Sequence, residues 1–536
     1  MLQLSNKQNR LIPAPLFWCL LACIAAGCSG QGHGGTDESG STTGGTVEAG
    51  STTGRTARDG RIGGGILLPG EADEIFADEP LDSQINPPTT EQVSRRVLVE
   101  QLANLHESLD ESRRLIQERD ARPAAVSTEH QRAERALSGA AEVSRARTPE
   151  GESYTIVHFR RVGQAVIEAV PHLMQLDNLR QMTFRPRTGM PPLEEEFAAL
   201  AQLPDLVALR FEYCKISPRG YEHLAQMSQL EEVELDNCWV SDDNFQFVKG
   251  LSRLRKLSFS DFNKEITDTG MKALETHREL EEVHLEGLPL TDAGIAALRN
   301  SRGLRIVDIA SNQVTEEGVA AVISGVSRQH PMRIEDLSLS SCQVTGHLMS
   351  HLGSMPLKRL SLGRTLIRNE DLRYLSQLTS LEELRIHSLP HELALTGEAL
   401  KHLSLLNSLR LLELDVGRVE SDDFRYLRRL DSLETLSLQS FILDDISLLH
   451  LAKLTELRNL YGLQRVDLSP SGNRDLQLLV RLRSVVFSSS DPTNRELLVL
   501  NGLPNLREVS FFDAGVGIPS DEVRDEMPGV KFTIYD

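Results

Sequence analysis

One pattern recurs along most of this chain and leaves few folds open to it. Segments of the form L-x-x-L-x-L, with Val, Ile, Phe or Met standing in for Leu, occur at 179–184, 206–211, 230–235, 254–259, 280–285, 304–309, 334–339, 357–362, 381–386, 409–414, 433–438, 482–487 and 506–511, with a shorter copy at 457–460. The step is usually about 24 residues, stretching between Ile309 and Leu339 and between Ile386 and Leu414. In L-x-L, alternation turns two apolar side chains one way and the residue between them the other, which is a short strand. About five residues later an apolar residue closes a turn: Ile216, Val240, Ile266, Leu290, Val314, Val344, Ile367, Val419 or Leu443. Thr-Asp or Thr-Glu often follows, as at Thr267-Asp268, Thr291-Asp292 and Thr315-Glu316, a pair that caps a helix and complements its dipole. Apolar residues at helical spacing come next, such as Met271 and Leu274, or Ile295 and Leu298. Each unit is strand, turn, helix. Alone it cannot bury its leucine face; stacked, the units share one core.

This pattern resembles the leucine-rich repeat family over most of residues 152–536, as about 13–14 repeats. The resemblance implies an α/β solenoid with a curved parallel sheet on the concave side and helices on the convex side. The family's ninth position, Asn or Cys, is occupied by Cys214, Cys238, Asn312 and Cys342, which resembles the cysteine-containing subclass. That likeness implies inward side chains at the strand-to-turn corner and buried free thiols; a disulfide between Cys214 and Cys238, one repeat apart, is the alternative. Residues 154–159 and 164–176 read as the strand and helix of an N-terminal cap, and 530–534 as the last strand.

The first residues read as an address. Lys7 and Arg10 precede an apolar stretch from Leu11 to Ala26 that ends in Ala25-Ala26-Gly27-Cys28. A basic start, a short apolar run and small residues before a cut site make a secretory signal over 1–27. The run is too short and too broken by Pro13 and Pro15 to span a membrane well. The ending resembles the bacterial lipobox, departing from it at Ala25, where Leu is usual. The resemblance implies that Cys28 becomes the acylated (palmitate-bearing) first residue of a lipoprotein, with an ordinary signal peptide as the alternative. Ser29 then points to the outer rather than the inner membrane of a bacterial cell envelope, facing either the periplasm or the surface.

Residues 28–90 contain a Gly/Ser/Thr-rich stretch, with GSTTG repeated at 40–44 and 50–54, that cannot bury enough apolar area to order itself. They read as a flexible tether. Residues 91–148 read as a charged helical segment. Leu98, Leu102, Leu105, Leu109 and Ile116 form a narrow apolar seam, Pro123 ends it, and a second helix is expected over 128–146. This segment either docks loosely or forms a coiled coil.

The formal net charge of −20 argues against nucleic acid as a partner. No zinc-protease, P-loop, dinucleotide-binding or nucleophile-elbow pattern appears, so neither catalysis, nor a cofactor, nor a metal is expected. Side chains between the strand leucines should line the concave face. In the first half these are Glu212, Glu232, Glu234, Asp236, Glu282, His284, Glu286, Asp308 and Asp336, with Arg210 and Lys256 as counter-charges. Strands lie about 4.8 Å apart, so these acids should form one surface. The expected function is a lipid-anchored scaffold binding a protein or peptide, a basic one if charge decides. The alternative is a structural or oligomerising spacer without a specific ligand.

Overall fold

The computed structural model describes residues 127–535 apart from short stretches at 187–190, 261–264, 325–332, 354, 366, 389–394, 489–491 and 513–518. The signal segment, Cys28, the tether and the apolar seam of 98–116 lie outside the described residues.

One 17-stranded sheet carries the fold, with a helical segment after almost every strand. All neighbouring strands run parallel except the first pair. Register is unbroken from Gln181 to Ser340, with local shifts at Thr155/Ile156, Gly363/Thr365, Ser437/Phe441 and Tyr461/Leu463. Leu209, Val233, Leu257 and Val283 stand side by side, as do Phe211, Leu235, Phe259 and Leu285. The longer steps change nothing in the sheet: Ile309 still pairs with Leu339 and Ile386 with Leu414. The inward residues and those closing the turns are almost all fully buried in one continuous cluster. Each such Leu contributes about 1.5–3 kcal/mol of transfer free energy, so the repeated frame is the dominant stabilising term. Towards each end phenylalanines replace leucines and stack, Phe159 on Phe184 at 5.7 Å and Phe184 on Phe211 at 5.4 Å, then Phe487 on Phe511 at 5.7 Å. This architecture is a leucine-rich repeat solenoid.

Two polar ladders run alongside the apolar core. In the first, a carboxylate at the start of one helix reaches the next repeat. Asp242 accepts from the N–H and hydroxyl of Thr267 (2.7 and 2.6 Å) and from the Gly270 N–H at 3.0 Å. Asp268 does the same for Thr291, and Asp292 for Thr315. Glu316 continues the series to Thr345. The residues expected only to cap their own helices therefore staple neighbours together. Charge-assisted bonds of this kind exceed neutral ones in strength.

In the second ladder, the position just before ten successive strands of the sheet alternates in sign: Glu231, Arg255, Glu281, Arg305, Glu335, Lys358, Glu382, Arg410, Glu434, Arg458. Each backbone N–H donates to the carbonyl of the preceding member. Side chains pair along the row, Arg255 with Glu281, Arg305 with Glu335 at 3.1 Å, Lys358 with Glu335 at 2.9 Å and Arg410 with Glu434 at 2.5 Å. Opposite charges across adjacent strands contribute a few tenths to about 1 kcal/mol each.

The expectation of a helix over 128–146 is corrected. The helix ends at Thr128–Leu137, and Ala141–Arg147 is a strand pairing antiparallel with Ser153–Phe159. Ala, Glu and Arg favour helix on their own, but the open edge of the first repeat offers this segment a ladder partner, and tertiary context decides. The cap is anchored by polar contacts. The Ser127 N–H and hydroxyl donate to Asp177, both at 2.9 Å, and buried His130 accepts from the Asp177 N–H at 3.0 Å. A helix and an antiparallel strand thus cap the first repeat strand, Ser153–Phe159.

Two further details differ from expectation. Several convex segments are 3₁₀ rather than α-helical, including Asn369–Gln377, Gly397–Leu403 and Ser421–Leu427. A 3₁₀ turn rises about 2.0 Å per residue against 1.5 Å, so fewer residues return the chain to the next strand. And Asn312 does not share the corner of the cysteines. It is exposed, while Ser311 turns in and donates to the Leu290 carbonyl at 2.7 Å. At the cysteine corners the preceding residue has positive φ, as at Tyr213, Asn237 and Ser341. Ser311 is not in that conformation, so the inward position falls one residue earlier. Cys214, Cys238 and Cys342 are buried free thiols. The Cys214 Sγ donates to the Phe184 carbonyl at 3.3 Å, and Cys238 to the Asp236 carbonyl at 3.5 Å.

Candidate functional site: the sheet face

The pleat that buries the leucines presents the residues between them on the opposite side, in rows set by the parallel register. Arg210, Glu234, Ser258, His284, Asp308 and Ser338 form the central row. Glu232, Lys256, Glu282, Ile306 and Asp336 form the row on one side, and Glu212 lies next to Asp236 in the row on the other. Glu286 follows in that outer row, beside Ala310. Every acid expected on this face from Glu212 to Asp336 is on it.

They do not form an open negative surface, because the cations of the same face are threaded between them. Arg210 reaches Glu234 at 3.0 Å, Asp236 at 3.3 Å and Glu212 at 3.7 Å. Arg185, from the preceding repeat, also closes on Glu212. Lys256 bridges Glu234 (3.1 Å) and Glu282 (2.7 Å), and Arg359 holds Asp336 at 2.7 Å. His284 lies between Glu282 at 2.9 Å and Asp308 at 3.5 Å. Those two carboxylates, Asp308 foremost, raise His284 to about 9, so it is a cation at neutral pH. Burial alone would raise Glu282, but hydrogen bonds from His284 and Lys256 bring it down to about 2. Carboxylates still outnumber cations. The surplus shows at Glu232, which is exposed. Its carboxyl is pushed above its ordinary range, by lost hydration against the sheet and then by Glu234, Glu282 and Glu231, with Lys256 opposing.

The second half is a separate polar cluster. Glu413 is 3% exposed, between Arg385 at 3.4 Å and His387 at 3.9 Å, while His387 also meets Asp415 at 3.3 Å. Burial raises Glu413, and His387 and Arg385 offset part of that rise. Phe512 is buried and stacked 5.1 Å from Tyr535.

Inspection of the strand residues alone missed two others. Tyr213 and Trp239, just past the ends of strands Ala208–Glu212 and Glu232–Asp236, are 68% and 64% exposed. The signal was present: apart from Trp18, Trp239 is the only tryptophan in the chain, and it follows an inward cysteine. Among the described residues no group of His, Cys, Asp and Glu is arranged to hold a metal ion. No helix among them is long and apolar enough to cross a membrane.

No protein-family model matches the chain, and no curated protein does. Many solved structures resemble it distantly. An internalin from Listeria monocytogenes is 19% identical over 57% of this chain and 81% of its own, with a TM-score of 0.40. The leucine-rich repeat protein LIC12759 of Leptospira interrogans is 16% identical over 70% of this chain and 99% of its own, at 0.42. The Toll–Spätzle complex of Drosophila gives 14% identity over 70% of this chain and 52% of that one, at 0.40. The fold assignment rests on the in-register ladder of this chain and not on these likenesses.

Proposed function

We propose that this chain is a lipid-anchored scaffold of the bacterial cell envelope, tethered through Cys28, that captures a basic protein or peptide on the concave face of its solenoid. The observation that carries the reading is the carboxylate surplus of the face: Glu212, Glu232, Glu234, Asp236, Glu282, Asp308 and Asp336 stand with Arg185, Arg210, Lys256, His284 and Arg359. A rigid sheet face holds more acids than cations, so an incoming Lys or Arg adds favourable pairs. None of these side chains contributes to the core, so the face is free to specialise while the leucine frame maintains the fold.

Capture from envelope extract on the intact chain, repeated with Glu232→Lys, Glu234→Lys and Asp236→Lys together, tests the binding. A salt-sensitive partner lost on charge reversal supports it, and a partner retained unchanged refutes it. For the anchor, Cys28→Ala should move the protein from the membrane to the soluble fraction and abolish an acyl-bearing N-terminal peptide in mass spectrometry. A membrane fraction indifferent to that substitution refutes the tether.

A further inference from the structure

Resting on the reading that the partner is basic, we propose that Tyr213 and Trp239 form the anchoring notch for an extended basic segment of that partner, which lays an arginine or lysine on the Trp239 ring and continues along the neighbouring carboxylates.

The two rings belong to successive repeats at the same edge of the sheet. The Tyr213 N–H donates to the Asp236 carbonyl at 2.9 Å, which fixes one loop against the next. Beneath them, the Tyr221 hydroxyl of helix Pro218–Leu224 donates to the Trp239 carbonyl at 3.2 Å. The Trp239 backbone is therefore held while its ring stands in solvent. Single exposed apolar residues are ordinary. Two large exposed aromatics on successive repeats of one rigid edge are the composition of a binding hot spot.

The backbone fixes where the Tyr213 ring stands. Tyr213 has φ of 55°, and the same corner is held in the left-handed region by Asn237 at 54°, Gly287 at 73°, Ser341 at 60° and Arg364 at 53°, so the turn is a device of the repeat that carries large as well as small side chains. At Tyr213 it carries a ring that is mostly in water.

The chemistry of the ligand follows from the surroundings. The Lys215 Nζ already lies 5.4 Å from the centroid of Trp239, so the ring takes a cation in the free protein, and the exposed remainder can take a second. Glu212 and Asp236 immediately precede the notch, and Glu234 and Glu232 follow back along the strand. Five residues of strand span about 16 Å, so an extended segment of similar length reaches from the notch to Glu232.

The test uses the full chain with Trp18→Phe, which leaves Trp239 as the one tryptophan, read by excitation at its red edge beyond the tyrosines. The probes are a decapeptide alternating Arg and Leu, its Glu–Leu counterpart and an N-acetylglucosamine oligosaccharide. The Arg–Leu peptide should shift Trp239 emission and bind by calorimetry. Trp239→Ala and Tyr213→Asn should each weaken it at least tenfold, with Tyr213→Asn melting no lower than the parent. Affinities within twofold of the parent in both variants would overturn the notch, as would equal engagement of Trp239 by the acidic peptide or the sugar. Loss on reversing Glu232, Glu234 and Asp236 but not on changing the rings overturns this inference and leaves the acidic face standing. No binding of the basic peptide at all overturns both.

Discussion

The carboxylate of Asp268 accepts from the backbone N–H of Thr291 at 2.9 Å and from its hydroxyl at 2.5 Å, one full repeat further along the chain. The same carboxylate lies where a β-carbon on Gly294 would have to go, 2.2 Å from its Oδ1. One side chain therefore ties two repeats and dictates a glycine in the second.

Asp268→Ala should destabilise by about 2 kcal/mol, because it removes a charged acceptor and leaves a half-buried N–H and hydroxyl without partners. Asp268→Asn should cost roughly half as much, since the amide oxygen still accepts. Urea midpoints report both. Equal stability of Asp268→Ala and the parent would show that the staple contributes nothing.

Gly294→Ala should destabilise as well, against the ordinary trend. In an open helix that change gains about 1 kcal/mol; here the new methyl displaces Asp268. Gly139→Ala is the internal control, because nothing lies within 4 Å of its β-carbon position. The two should move the melting temperature differently, Gly294→Ala down and Gly139→Ala unchanged or up.

The His284 pair predicts a pH dependence. Its imidazole titrates near 9 in the folded chain and near 6.5 when unfolded. The folded value is the higher one, so the stabilisation is complete below about pH 6.5 and is lost as pH rises through 9. His284→Gln should therefore lower stability by about 1 kcal/mol, after discounting for solvent screening, at pH 6 and hardly at all at pH 10. An equal loss at both would assign the effect to packing. Glu282 has the opposite sign. Its folded value near 2 makes its contribution complete above the ordinary carboxylate range and lost as pH falls towards 2.

Native Cys342 should resist alkylation. Burial raises its thiol to about 11 and also shields it from reagent. Cys214 is raised further, first through its neighbour Cys238 and then through burial. Residue-resolved mass spectrometry after iodoacetamide at pH 8 should find all three unmodified in native protein and modified in denaturant. A Cys214–Cys238 disulfide in oxidised protein would contradict the free thiols.

Much of this was legible in the residues. Leu230, Val233 and Leu235 announce a strand and its inward face, and Thr291-Asp292 announces a helix start, because both signals are local. The strand at Ala141–Arg147 was not legible, since its residues favour helix and its pairing partner is set by the uncovered edge of Ser153–Phe159. Nor was the way the acidic face pairs its charges across repeats. Arg185 and Glu212 are far apart in the chain, and only the stacking of repeats brings them into contact.

The sequence by itself determined the repeat, its strand-turn-helix unit, the buried frame and the list of residues on the open face, since period and hydrophobicity leave one way to stack such units. Only the tertiary structure decided how the charges on that face pair, that Asp268 staples rather than merely caps, and that Tyr213 and Trp239 stand exposed on neighbouring repeats. The apolar frame is specified within each repeat; the staples and most ion pairs of the open face are made between repeats, where register sets the distances.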